Sequence, residues 1–147
     1  MSGLLEKVEA RLSAQATPPL VRVDGAASFA ALTGSGARPP QPHQLPAGYV
    51  IPVRIRGDAQ RLVGATNQRL TVRFAVVIAT GHAGETSGET ASRTAEEVER
   101  DVRAALIGWT PDGFDDAVVY RGGSLSAIEG GRAWWTAEFE TQEFLFQ

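Results

Sequence analysis

Two histidines, His43 and His82, are the side chains best suited to acid-base or metal chemistry in this 147-residue chain. His82 begins the polar stretch "HAGETSGETAS", with Glu85 and Glu89 close by, and His43 sits among prolines 39, 40, 42 and 46. Zinc needs three or four converging ligands, and two histidines without a cysteine read as solvated loop residues. Ser35 in "TGSGA" and Ser124 in "GGSLS" do not complete the G-x-S-x-G turn that exposes a nucleophilic serine. The segment "GHAGETSG" lacks the Gly-Lys-Ser/Thr ending that meets phosphates, so it reads as a surface loop. Asp112, Asp115 and Asp116 crowd one turn without the alternating ligands and closing glutamate of a calcium loop. Glu138 and Glu140 share one strand face, as paired acids do in many strands that catalyse nothing. None of these groupings makes an active site, and no metal or cofactor is expected.

Composition narrows the remaining classes. The absence of cysteine removes disulfides and thiolate sites, so the fold must rest on packing, and residues 1–147 are expected to form one domain. A net charge of -3 and a pI near 5.4 argue against a general grip on nucleic acid. Lys7 is the one lysine among fourteen basic residues. Arginine favours bidentate contacts at interfaces, although a GC-rich genome produces the same bias. The opening "MSGLLEKVEARLSAQA" is too charged for a signal peptide or a membrane span, so synthesis in the cytosol is expected.

The elements follow from periodicity. Leu4, Leu5, Val8 and Leu12 stand at helical spacing over residues 3–15, with Ser2 as the expected cap. "LVRV" at 20–23 reads as a strand, followed by a long Gly-, Ala- and Pro-rich connection with a short helix around Phe29. In "YVIPVRIRG" simple alternation puts Tyr49, Ile51, Val53 and Ile55 on one face and Arg54 and Arg56 on the other, while Pro52 points to an edge or a bulge. "QRLTVRFAVVIATG" is the best central strand, with Leu70, Val72, Phe74, Val76 and Ile78 alternating against Thr71, Arg73, Ala75, Val77 and Ala79. Residues 81–92 read as loop, and Thr94 with Glu97 as the capping box of a helix whose stripe is Ala95, Val98, Val102, Ala105 and Leu106. Beyond the "TPDG" turn, the Gly122-Gly123 and Gly130-Gly131 pairs divide the end of the chain into a three-stranded meander. The expected class is α+β, with two helices on one face of a mainly antiparallel sheet.

"RAWWTAEFET" then sets a packing problem, because neighbouring strand residues point to opposite faces. Trp135, Ala137 and Phe139 make the natural core face. Trp134, Thr136, Glu138 and Glu140 make the other. An indole buries up to ~250 Å², worth about 5 kcal/mol, so Trp134 requires cover from its own chain or from a second one. With Arg54, Arg56 and Arg73 on nominally outer surfaces, and with His82 in its exposed loop, these side chains are the candidate partner-contact residues: Arg54, Arg56, Arg73, His82, Trp134, Glu138 and Glu140.

The run "ALIGWTPDGFDDAVVYRGGSLSAIEGGRAWWTAEFET" resembles the tail terminator, or tail completion, proteins of tailed bacteriophages, including Mu-like and lambda-like ones. The shared features are Gly108, Trp109 and Pro111 after a helix, Tyr120 with Gly122 and Gly123, and the Trp-Trp and Glu138-Phe139 ending. The resemblance implies a small structural subunit of the virion tail and neck, assembled in the host cytoplasm, without catalysis. It implies a homo-oligomeric ring, hexameric in the family, that caps the head-proximal end of the tail tube and stops its growth. The implied partners are the tube protein, a neck or head-completion protein and a sheath protein. Genome DNA can pass through such a ring without sequence-specific binding. Two other readings stay open: another head-tail joining ring protein, or a ligand-binding or enzymatic α+β domain whose loops bring His43 and His82 together.

Overall fold

The structure, a computed structural model, describes residues 3–33, 40, 44–58, 67–81, 89–129 and 132–146. Three helices and five strands alternate in the order α1 (Leu4–Ser13), β1 (Arg22–Gly25), α2 (Ala26–Thr33), β2 (Ala47–Gly57), β3 (Asn67–Gly81), α3 (Glu89–Leu106), β4 (Val119–Glu129) and β5 (Arg132–Phe146). The strands form one sheet in the order β1-β2-β3-β5-β4, antiparallel except for the parallel pair β1-β2. The α+β class read from the sequence holds, with β3 at the centre of the sheet.

The layers follow from side-chain period. Leu4, Val8 and Leu12 of α1 and Val98, Val102, Ala105 and Leu106 of α3 are stripes of one face each, and both settle on the same side of the sheet. There they meet Val50, Val72, Phe74, Val76, Ile78, Ala137 and Phe139, with the Phe74 and Phe139 rings stacked at 5.6 Å. Among the described residues, the opposite side is covered at one end. There α2 lays Phe29 and Leu32 over Ala47, Tyr49 and Val77, and the half-buried ring of Trp134 joins this second cluster. Part of the cover of Trp134 therefore comes from its own chain.

Four expectations change. The meander has two strands, not three: β4 runs unbroken through Gly122 and Gly123 and pairs with β5 from Val119 to Glu129. The first glycine pair marks a bulge, with the ladder shifting between Tyr120 and Gly122 and Gly122 at φ 138°. Gly123 is small for a steric reason: a Cβ there would lie 2.6 Å from the Tyr120 hydroxyl and 2.8 Å from Trp135 Nε1. The second pair lies between Glu129 and Arg132, and residues 130 and 131 themselves lie outside the described residues.

The third helix begins at Glu89, so Thr94 and Glu97 stand inside it rather than at a cap. "ETAS" contains no breaker, and the helix extends back through residues that looked like loop. At α1 the capping position is Gly3, in the left-handed region at φ 76°, with no side-chain cap; Ser2 lies outside the described residues. Finally, Tyr49, Ile51, Val53 and Ile55 do not share a face. The β2-β3 ladder shifts between Pro52 and Arg54, so Val53 is the extra residue of a bulge beside the proline.

Candidate assembly interface

The bulge at Val53 governs what the sheet presents on its uncovered side. Residues directly opposite in a ladder share a face. On β5 the second face carries Trp134, Thr136, Glu138 and Glu140, and their partners on β3 are Ala79, Val77, Ala75 and Arg73. On β2 the same rows continue with Ala47, Tyr49 and Ile51, and then, across the bulge, with Arg54 opposite Arg73 and Arg56 opposite Thr71. Arg54 and Arg56 therefore join the face of Tyr49, Ile51 and Trp134, which simple alternation denied them. Six of the seven candidate residues are brought onto one face; His82 lies outside the described residues, as does His43.

This face changes character along its length. Near α2 it is apolar, and burial pushes the Tyr49 hydroxyl above the ordinary tyrosine range, with Arg22 pulling it down and Asp24 pushing it further up. Past Ile51 it is open and cationic. Arg54 and Arg56 are exposed and carry no ion pair among the described residues. Glu140 takes Arg121 at 3.2 Å and Arg73 at 4.0 Å on the same oxygen. Arg69, two positions before Thr71 and on the same face, holds its guanidinium 4.7 Å from the centre of the Phe144 ring. In this stretch past Ile51, among the described residues, five arginines thus stand with three carboxylates, Glu138, Glu140 and, past the end of β2, Asp58.

Arg69 and Arg121 were not among the residues singled out from the sequence. Arg69 was legible, since it shares the parity of Thr71 and Arg73 in an alternating strand. Arg121 was not, because it occupies the bulge where an apex was expected. Also unread was a polar cluster under α3. Glu99, 4% exposed, accepts from Arg103 Nη2 at 3.3 Å, and the Arg103 guanidinium stacks over Tyr120 at 4.9 Å. Burial, then the hydrogen bond and charge of Glu99, push the Tyr120 hydroxyl above its usual range, and Arg103 opposes them.

Chemically, the arrangement can hold polar and planar contacts over a broad surface. Among the described residues no group of three or more His, Asp or Glu is placed to hold a metal ion. No described helix is long and apolar enough to cross a membrane.

The family described as "Phage tail terminator protein" matches residues 4–146, which is nearly the whole chain. The chain belongs to the phage tail terminator family. As a tail terminator family member it is a structural protein of the virion, located at the tail and neck. Its fold is similar to that of a chain in a solved structure titled "Virion of native gene transfer agent (GTA) particle". That likeness has a TM-score of 0.60 at 17% identity, and covers 97% of this chain and 95% of the other. No curated protein matches the chain.

Proposed function

We propose that six copies of the chain close into a ring on the head-proximal end of the tail tube, stop its polymerisation and offer the neck a surface to join. The observation that carries this reading is the family match over residues 4–146. The likeness to a virion-particle chain supports the fold that the role requires. The role is structural, and the partners are the tube protein below, a neck or head-completion protein above, and the sheath protein where the tail has one. Genome DNA passes through the opening without base-specific contacts.

The fold suits a closed assembly for a physical reason. A head-to-tail ring needs two different surfaces on each subunit, and closure is what keeps such contacts from running on into a filament. This subunit has unlike sides: two helices seal one face of the sheet, and among the described residues the other face is open and arginine-rich beyond α2. Electron microscopy of particles made without the protein tests the proposal. Abnormal or overlong tails without heads are expected, and normal joined particles would overturn it.

A further inference from the structure

We propose that the open arginine face of one subunit seats against the α1-α3 side of a second copy, with the Arg54-Arg56 pair meeting Asp101 at the cleft between those helices. The inference rests on the ring reading and names the two surfaces that would make it.

The first observation is charge segregation within a chain of net charge -3. Beyond Ile51 the open sheet face is cationic, with five arginines against three carboxylates among the described residues. On the other side, α1, α3 and the turn at 110–116 carry nine carboxylates and five cations among the residues whose side chains are described. The two surfaces lie on opposite sides of one sheet, as a heterologous contact requires. Complementary potentials of this kind steer encounter and fix register more than they add raw affinity.

The second observation is shape. A cleft of about 280 Å³ lies between the end of α1 and α3, lined by Gln15, Thr17, Pro19, Asp101, Ala104 and Ala105. Asp101 is exposed at this cleft and has no ion pair among the described residues. Arg11 does not fill the role, because its Nε donates to the Ala105 carbonyl at 3.0 Å and its guanidinium packs 5.4 Å from the Trp109 ring. The cleft thus offers a carboxylate without an ion pair among the described residues, in a lining shared with Thr17 and with Gln15, whose Nε2 donates to the Arg11 carbonyl at 3.1 Å, a setting that suits a planar guanidinium with several donors. Arg54 and Arg56 are the exposed guanidiniums on β2, without an ion pair among the described residues.

Paired charge reversals test the contact. Arg54→Glu with Arg56→Glu spoils one surface, and Asp101→Arg with Glu97→Arg, the exposed residue one turn earlier on the same face of α3, spoils the other. Each pair alone should weaken association of the purified chain at least about tenfold by native mass spectrometry and sedimentation, with unchanged circular dichroism. Mixing the two variants should restore assembly with strict alternation, since each defective surface then meets its reversed counterpart. Loss in both variants without rescue on mixing overturns the pairing. Unaltered assembly of the Arg54→Glu, Arg56→Glu variant also overturns it, and leaves the ring reading intact. If that variant also loses salt-sensitive retention of double-stranded DNA, the face meets nucleic acid instead. An unaltered chain that stays monomeric overturns the pairing, while the particle experiment above decides the ring separately.

Discussion

Arg54 and Arg73 stand directly opposite one another across β2 and β3, and Glu140 of β5 extends the same row. Two like charges in register repel, and a single carboxylate shared by Arg73 and Arg121 offsets them. Glu140→Gln should therefore cost about 1 kcal/mol at low ionic strength, with the loss shrinking in high salt because the arginines are partly solvated. Arg54→Thr should be neutral or slightly stabilising. Urea unfolding at two salt concentrations measures both.

Gly123 and Gly108 should respond differently to alanine. At Gly123 the new methyl meets the Tyr120 hydroxyl, Trp135 Nε1 and the Thr136 carbonyl oxygen, the last at 3.3 Å. Both aromatic side chains pack on the core, so a cost of about 1–3 kcal/mol is expected from overpacking. At Gly108 nothing lies near the added atom, and the cost of about 1 kcal/mol comes from its left-handed backbone at φ 83°. Trp fluorescence during denaturation separates them: the first substitution should perturb the native spectrum and the second should not.

The stacked pair at the centre of the core sets the scale for damage. Phe139 is fully buried against Phe74 and Tyr120, so Phe139→Ala should lose about 3–5 kcal/mol. Thermal unfolding followed by calorimetry gives the value.

Glu9 gives the chain a pH dependence of known sign. Burial, then the charges of Glu6 and Asp24, raise its folded pKa above the ordinary carboxylate value. A raised folded pKa means that this group's contribution is fully present below the unfolded value, about 4.5, and is lost as pH rises through the folded one. Glu9→Gln should thus raise the melting temperature at neutral pH, and its advantage should fade below about pH 4.5. Melting curves across that range check the sign.

Much of the architecture was legible because it depends on period alone. The alternation from Leu70 to Ile78 marked the central strand, and the stripes of α1 and α3 marked the two helices that share a face. Phe29 in a short apolar run located α2. What escaped were interruptions of period. A bulge adds one residue without changing composition, so Val53 reversed the expected facing of Arg54 and Arg56, and the irregularity beside Gly122 passed for a turn. For the candidate interface, the residue types were readable and their common face was not, since that face exists only through three ladders in register. The intrachain part of the cover of Trp134 needed the position of α2.

Val53 answers no residue of β3, so it can be removed without dissolving any other cross-strand partnership. A chain lacking it would keep Arg54 opposite Arg73 and lose only the local kink. Duplicating it, by contrast, would leave the ladder to absorb two spare residues or slip by one, and a slip would aim both β2 guanidiniums at the helices. Shortening here is the tolerant direction and lengthening the hazardous one, an asymmetry that natural length variants of this strand should display.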